Sequence, residues 1–241
     1  MSEGSVPGGQ GESGPYVVRG KMVDATVVGD GPTELRGPDM SSFDEKAATW
    51  DDDPAKVERA KDIADLIRTT LPVTAETRVL DFGAGTGLLS QYLAGHVAAL
   101  TLVEPSTGMR EVIAQKISSG TLPADTRVWD LDLAVDPAPD EEFDLIATLL
   151  VLHHVTDVTR VLGAFATMLS PGGTLALLDL AAEDGSFHGE GFGGHHGFEP
   201  DDLAEQLTAL GLTDVDVRGD VYGVEKEGRR YPLFLVTATK A

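Results

Sequence analysis

The sequence predicts an α/β fold with a doubly wound, mostly parallel sheet of seven strands. Short apolar runs alternate with helical patterns, which is typical of a parallel sheet covered by helices on both faces. A glycine-rich turn follows the first run, at the place where open α/β sheets bind ligands. The last two strands are close enough in sequence to pair antiparallel. The predicted strands cover residues 78–82, 99–103, 126–130, 143–149, 174–180, 215–218 and 233–239.

The composition indicates a globular protein with one main domain. The chain has 241 residues, of which 41% are hydrophobic and 24% charged, and this balance is typical of a packed core. No apolar run is long enough to span a bilayer, and the acidic start lacks the order of a signal peptide. We therefore expect a cytoplasmic protein. The absence of cysteine excludes disulfides and a cysteine nucleophile.

The charge balance argues against a nucleic-acid partner. Forty acidic residues against 18 basic ones give a formal net charge of −22. A phosphate backbone is repelled by such a surface, and few counterions are released on contact. Solubility or a salty cytoplasm explains the acidity most simply, so the net charge does not indicate the charge of a smaller substrate.

The chain divides into a tail of residues 1–39 and a functional domain of residues 40–241. The tail holds nine glycines and four prolines, and it offers too little apolar surface to order itself. A weak alternating pattern from Val23 to Val28 leaves a hairpin open as an alternative. We expect removal of residues 1–39 to leave folding nearly unchanged.

Capping signals place three helices around the predicted strands. Asp53 and Pro54 suit the start of an amphipathic helix before the first strand. Asp157 caps the helix before the fifth strand, and the Pro-Gly-Gly of residues 171–173 ends it. A further helix is predicted from Pro200 to Leu210.

The first strand ends in a glycine-rich turn, Asp81-Phe82-Gly83-Ala84-Gly85-Thr86-Gly87. Glycines let the backbone approach a ligand, and the N-terminus of the next helix offers N–H groups to an anion such as a carboxylate. Asp81 can complement an ammonium group of the same ligand. Taken alone, the motif fits a tight turn or a dinucleotide fingerprint equally well.

Acidic residues also end the second and third strands. Glu104 stands where an acid can accept both hydroxyls of a ribose. Asp130 can accept from an adenine amino group while Leu131 offers apolar surface to the ring, and Asp132 is a less favoured alternative to Asp130. An exposed acid at a strand end is the less favoured alternative for Glu104.

Five blocks in order, DFGAGTG, LVEPSTGM, WDLD, FDLIATLLVLHHV and LSPGG, resemble class I S-adenosylmethionine (SAM)-dependent methyltransferases over residues 41–241. The resemblance implies a Rossmann-like methyltransferase fold with SAM as cofactor. It implies that Asp81 lies near the methionine end and that Glu104 binds the ribose. Thr148 and Leu149 would form the floor near the sulfonium. The implied cofactor contacts are Asp81, Gly83, Gly85, Thr86, Gly87, Glu104, Pro105, Met109, Asp130, Leu131, Thr148 and Leu149.

An aromatic–acid pattern precedes the predicted sheet, as Phe43-Asp44 and Trp50-Asp51. It resembles the short segment before the sheet in the same family, and it implies that Phe43 and Trp50 form a lid over the site. Ordinary packing of Trp50 against the sheet is an equally favoured alternative.

Histidines are the candidate catalytic groups, because histidine titrates near neutrality and can take a proton from the acceptor. The candidates are His153, His154, His188 and His195. The glycine-rich segment 183–199 resembles the acceptor-side insertion of small-molecule methyltransferases, and His196 within it is a candidate acceptor contact. A mobile loop with histidines in water is the plain alternative. We predict no metal site, since adjacent histidines seldom chelate one ion.

The acceptor is predicted to be a small or lipid-like molecule. The fourth strand ends in Thr148-Leu149-Leu150-Val151, without the Asn/Asp-Pro-Pro-aromatic pattern of methyltransferases that act on amino groups of adenine or glutamine. An NAD(P)-dependent oxidoreductase is one alternative, although the third glycine of a dinucleotide turn is missing. A non-enzymatic scaffold that keeps the SAM pocket is another.

Overall fold

A computed structural model of the protein describes Met1 and residues 40–241. The predicted tail and its hairpin lie outside the described residues, apart from Met1. Short 3-10 helices occur at Ala47–Asp52 and Leu152–His154. The other elements are α1 (Met40–Lys46), α2 (Pro54–Thr70), β1 (Arg78–Phe82), α3 (Leu88–Leu93), β2 (Ala99–Val103), α4 (Thr107–Ser118), β3 (Arg127–Trp129), β4 (Phe143–Leu149), α5 (Val158–Met168), β5 (Leu169–Leu180), α6 (Pro200–Ala209), β6 (Leu212–Lys226) and β7 (Arg229–Lys240).

The strands form one seven-stranded sheet in the order β3-β2-β1-β4-β5-β7-β6. Strands β1 to β5 are parallel, and β7 runs antiparallel to β5 and to β6. This confirms the predicted doubly wound sheet with its antiparallel end. The strand order reverses beside β1, between β2 and β4, and the crevice at such a reversal is where open α/β sheets bind ligands.

Helices on both faces explain why the central strands of the sheet are mostly apolar. Val79 and Leu145 pack on the face that α2, α3 and α4 cover, whereas Leu80 and Ile146 pack on the face that α5 and α6 cover. Successive residues of a strand point to opposite faces, so a strand that is buried on both sides shows no polar alternation. The position of the site therefore depends on strand order and not on a polar face of the sheet.

The predicted helix starts are correct, because the capping side chains make the expected hydrogen bonds. Asp53 accepts from the Ala55 N–H at 3.0 Å, and Asp157 accepts from the Arg160 N–H at 2.9 Å. Each cap satisfies one backbone donor that has no partner within the helix. Among the described residues, no helix is both long enough and apolar enough to cross a membrane.

Candidate functional site

The glycine-rich turn lies at the crevice beside β1, with its backbone in a conformation that suits glycine. Gly83, Gly85 and Gly87 all have positive φ, which side chains with a Cβ rarely adopt. A Cβ on Gly83 would clash with Val151 after β4, whereas a Cβ on Gly85 would meet no atom within 4 Å. The turn thus packs tightly against β4 at one end and leaves open space at Gly85.

Glu104 joins the end of β2 to the glycine-rich turn. Its Oε2 accepts from the Gly85 N–H at 2.8 Å, and its Oε1 accepts from the Ser106 N–H at 2.8 Å. A carboxylate oxygen can accept more than one hydrogen bond. The side chain is therefore held in place and retains acceptor capacity for two ribose hydroxyls.

Two buried carboxyl groups with raised pKa values line this wall of the crevice. Burial is the main cause in both: it raises the pKa of Asp81 to about 6 and the pKa of Glu104 to about 7. The Ser90 hydroxyl donates to Asp81 at 2.6 Å and partly offsets the effect. A buried carboxylate without a nearby cation is costly, so this wall favours a cationic or hydrogen-bond-donating ligand.

Arg110 connects the ends of β2 and β3, where the adenine contact is predicted. Its guanidinium donates to the carbonyls of Glu104 and Pro105 at 2.9 and 2.7 Å, and to Asp130 Oδ2 at 3.0 Å. Asp130 is exposed, and Leu131 is half-buried against the core. Met109, another predicted contact, lies buried in α4.

The acids of the aromatic–acid pattern anchor the segment 43–51 to the glycine-rich turn after β1 and to the start of α4 and the loop before it. Asp44 accepts from the Ser106 hydroxyl at 2.5 Å and from the Gly108 N–H at 2.8 Å. Asp51 accepts from the Thr86 hydroxyl at 2.6 Å and pairs with Lys116 Nζ at 2.6 Å. These contacts lower the pKa of Asp44, with the Ser106 hydrogen bond as the largest cause.

The aromatic residues of the same segment extend from this anchor toward the histidines. The rings of Phe43 and Trp50 lie 5.9 Å apart, and the Phe43 ring meets His154 edge-on at 5.2 Å. Lys56 Nζ lies 3.8 Å from the centre of the Trp50 ring, within the range of a cation–π contact. The segment therefore bridges the glycine-rich turn and the region after β4.

We expect Asp44→Ala to weaken SAM affinity by about two- to fivefold. The change removes two charge-assisted hydrogen bonds, but Asp44 is exposed, so solvent screening limits the loss to below about 1 kcal/mol. Calorimetric titration with SAM would measure it. Asp52→Ala, a change at the exposed acid that directly follows this segment, is the matched control. Equal affinities for both variants and the wild type would show that the segment does not cover the cofactor.

The end of β4 carries a buried hydroxyl at the predicted floor of the site. Among the described residues, Thr148 Oγ1 is one of the buried side-chain oxygens without a hydrogen-bond partner. Leu149 is half-buried, and Leu150 has a φ of 58°, a conformation that is uncommon for a non-glycine residue. The chain turns sharply there and directs the following histidines to the crevice side.

His153 is paired with an acid that the sequence analysis did not single out. The ring Nδ1 of His153 lies 2.5 Å from Asp179 Oδ1, and the backbone N–H of His153 donates to Asp179 Oδ2 at 3.3 Å. Both side chains are buried, and Asp179 also accepts from the Leu180 N–H at 2.7 Å. An ionised carboxylate only accepts, so a neutral imidazole in this pair carries its proton on Nδ1 and its lone pair on Nε2.

Three of the four candidate catalytic histidines come together after β4 and β5. The ring centre of His153 lies 4.2 Å from that of His154 and 5.1 Å from that of His188, and the last two are 5.0 Å apart. Phe192 stacks on His188 at 3.8 Å. We call His153, His154 and His188 the histidine cluster.

The other two histidines of the loop lie outside this cluster. His195 is exposed, and its Nε2 lies 3.0 Å from the Val155 carbonyl oxygen. Its backbone N–H donates to the His153 carbonyl at 2.7 Å. His196 is exposed, with its Nδ1 3.5 Å from Glu183 Oε1. His195 therefore braces the loop against the segment after β4, whereas His196 contacts the start of the loop itself.

The residues around Asp179 could have identified it as a site candidate, although the spacing of the motifs did not. Asp179 stands inside the apolar run Leu175 to Leu180, and an acid that is buried in a strand needs a specific partner. The signal for Lys116 and Arg110 was weaker, because each is an ordinary basic residue of an amphipathic helix. Their roles depend on loops that meet only in the fold.

Comparison with known proteins places the chain in a family. The sequence model of a family described as "Methyltransferase domain" matches residues 55–217. An uncharacterized methyltransferase of Geobacillus kaustophilus is 30% identical over 66% of this chain and 72% of its own length. A ubiquinone biosynthesis O-methyltransferase of Xanthomonas axonopodis pv. citri is 32% identical over 61% of this chain and 67% of its own length. Four uncharacterized methyltransferases match over 55% to 72% of their own lengths.

Solved structures share the fold. The N-methyltransferase NodS of Bradyrhizobium japonicum, solved with S-adenosylhomocysteine, has a TM-score of 0.65 and 20% identity, over 83% of this chain and 97% of NodS. The family match decides against the alternative of an NAD(P)-dependent oxidoreductase. The strand order, the glycine-rich turn at the strand reversal and the family match agree, and the chain belongs to the class I SAM-dependent methyltransferases.

Proposed function

We propose that this methyltransferase transfers the methyl group of SAM to a hydroxyl group of a small aromatic or lipid-like acceptor. The observation behind the proposal is a buried histidine, His153, that is paired with a carboxylate. It lies at the carboxyl edge of the sheet and is surrounded by aromatic side chains. Methyl transfer to a neutral hydroxyl needs a group that manages the acceptor proton. Histidine is the side chain best suited to that task near neutral pH.

The crevice beside β1 supports SAM as the ligand. The open space at Gly85 admits a close ligand, and Glu104 is positioned to accept from ribose hydroxyls. SAM carries a sulfonium and an ammonium, so it offers positive charge to a wall in which burial raises the pKa values of Asp81 and Glu104. Thr148 and Leu149 would then lie beneath the sulfonium.

Aromatic side chains around the histidine cluster support a planar or apolar acceptor. Phe43 approaches from α1, and Phe187 and Phe192 approach from the loop after β5. Such rings favour stacked or edge-on contact with another ring. The O-methyltransferase of Xanthomonas axonopodis, which is named for ubiquinone biosynthesis, gives independent support for an oxygen acceptor on a ring.

The reaction is an in-line displacement at the methyl carbon. The acceptor oxygen forms a bond to that carbon as the carbon–sulfur bond breaks, and the electron pair stays on sulfur to give S-adenosylhomocysteine. The acceptor proton leaves toward the histidine cluster. The enzyme contributes mainly by alignment and by exclusion of water, and the segment 43–51 and the loop after β5 would supply the cover.

The test combines binding and turnover on the full chain. We expect SAM and S-adenosylhomocysteine, but not NAD(P), to bind at micromolar concentration by calorimetry. We expect S-adenosylhomocysteine to form when the enzyme meets a panel of catechols and hydroxybenzoates or a metabolite extract. SAM binding without turnover on the panel and the extract would favour a non-enzymatic scaffold. Methylation of amines alone would overturn the hydroxyl acceptor.

A further inference from the structure

The histidine cluster has the composition and compactness of a metal site. One ring nitrogen from each of His153, His154 and His188 can be chosen so that all three atoms lie within 4.8 Å of one another. His153 is buried, and the other two are half-buried. We propose that the histidine cluster binds one divalent transition-metal ion, with Zn²⁺ as the representative ion.

Imidazole nitrogens favour zinc and the neighbouring transition metals over calcium or magnesium, which prefer oxygen ligands. Zinc binds histidine nitrogen at about 2.0–2.1 Å, so two nitrogens on a tetrahedral ion lie roughly 3.3 Å apart. The nitrogens of the histidine cluster, within 4.8 Å of one another, therefore need to move together by no more than about 1.5 Å. Small rotations of three rings can provide that.

Asp179 gives His153 the arrangement of a metal-binding histidine. A ligating histidine commonly donates its other ring N–H to a carboxylate, which orients the ring and raises its basicity. Asp179 Oδ1 lies 2.5 Å from His153 Nδ1, and both groups are buried. The lone pair on Nε2 is thereby left for an ion.

The chain around His188 allows the small movement that an ion requires. Gly185, Gly189 and Gly191 flank His188, and all three have positive φ. Among these three, a Cβ on Gly189 or on Gly191 would meet no atom within 4 Å, so the loop is not tightly packed there. Stacking on Phe192 keeps the His188 ring beside the other two rings.

Three protein ligands leave a position open on a tetrahedral ion, as in catalytic rather than structural zinc sites. The open position would take one oxygen ligand from water or from a hydroxyl-bearing acceptor. This inference goes against our prediction of no metal site, which rested on the adjacent histidines of the segment 183–199, His195 and His196. In the structure the chain turns after Leu150, and His188 from a second loop completes the set.

Metal binding can be measured on the full chain without SAM or acceptor. We expect the chelator-stripped protein to take up about one equivalent of Zn²⁺ or Co²⁺, and bound Co²⁺ to show the visible absorption of a nitrogen-ligated ion. Excess Ca²⁺ should displace ions from surface carboxylates and leave this equivalent in place. We expect His154→Ala and His188→Ala each to weaken Zn²⁺ binding at least tenfold, and Asp179→Asn to weaken it about 10- to 100-fold.

His96→Ala is the matched control, because His96 is an exposed histidine remote from the cluster in sequence, and we expect it to retain the full equivalent. The metal site would be overturned if the wild-type protein took up no Zn²⁺ that resists displacement by Ca²⁺. It would also be overturned if Zn²⁺ uptake were unchanged in both His154→Ala and His188→Ala. Methyl transfer that is unaffected by chelators in such a protein would leave the proposed function standing with His153 as a general base. A protein that binds Zn²⁺ but not SAM would contradict the proposed function alone.

Discussion

Replacing Asp179 by asparagine is expected to lower kcat for methyl transfer by about 10- to 100-fold, with little change in the KM for SAM. In the proposed function Asp179 is a positioning residue, because its contacts with the ring and the backbone of His153 fix the orientation of the ring and favour the neutral form with its proton on Nδ1. Asparagine can donate to Nδ1 as well as accept from it, so the variant populates the wrong tautomer and ring orientation. The loss is expected whether Nε2 takes a proton or binds a metal ion.

A loss of kcat through general destabilisation has to be excluded. Asp144→Asn is the matched control, because Asp144 also links strands, through hydrogen bonds to Arg78 and to Ser170. It lies near the start of β4, at the opposite end of the strand from the site. We expect Asp144→Asn to lower the melting temperature without changing kcat at permissive temperature. An equal loss of kcat in both variants would show that Asp179 is merely structural.

Much of the fold could be predicted because the strands that surround the site are buried on both faces. The bounds of β1, β2 and β4 agree with the prediction, since each is an apolar run between clear turn signals. β5 was predicted from Thr174 but begins at Leu169, because Leu169 pairs with Phe143 before the glycines. Local glycine and proline signals favoured a loop there, and pairing with β4 outweighed them.

The antiparallel end of the sheet was harder to predict. β6 was predicted over residues 215–218, but it extends over Leu212–Lys226, with irregular register at Thr213/Asp216 and Arg218/Tyr222. Irregular register interrupts the two-residue period that marks a strand. The long hairpin depends on pairing with β7, which no local pattern encodes.

The parts of the candidate site that could be predicted are those whose residues lie close together in the sequence. Asp81, the glycines and Glu104 could be predicted to lie together because they follow two consecutive strands, and their role as cofactor contacts stays a prediction. The pairing of His153 with Asp179 was missed, because the two are 26 residues apart and meet only through the pairing of β4 with β5. The acids Asp44 and Asp51 were recognised as parts of a pattern, but their partners 62 and 35 residues away were not.

Glu104→Ala is expected to weaken SAM binding by about 1–3 kcal/mol, which is roughly 5- to 150-fold in Kd. The change removes the proposed acceptor for the ribose hydroxyls and also the contacts that hold Gly85 and Ser106 in place. Glu104→Gln keeps the shape and part of the hydrogen bonding, so we expect a smaller loss. Unchanged affinity in both variants would place the ribose elsewhere.

The pH dependence of SAM binding provides a sharper test of Glu104. Burial raises the pKa of this carboxyl in the folded protein to about 7, and ribose hydroxyls donate best to the ionised form. SAM affinity should therefore rise with pH up to about 8, and at pH 6 it should be about tenfold below its limit, since only about a tenth of the carboxyl is then ionised.

The stability of the cofactor-free protein should change with pH in the opposite direction. The folded pKa of Glu104 lies above its unfolded value, so the folded state holds the proton more tightly. The stability that this provides is fully present below about pH 4.5 and is lost as the pH rises through about 7. Glu104→Gln cannot ionise, so we expect it to remove the change centred near pH 7 from both profiles, whereas Asp81, with a pKa of about 6, still titrates in the variant. We expect a higher melting temperature than the wild type at pH 8 without SAM, and a weaker affinity for SAM that changes little between pH 7 and pH 8, where the wild type still gains. Calorimetric titration and thermal unfolding from pH 5 to pH 8 measure both. A wild-type affinity that stays constant between pH 6 and pH 8, or a Gln variant that keeps the wild-type rise, would show that the ionisation of Glu104 does not control SAM binding.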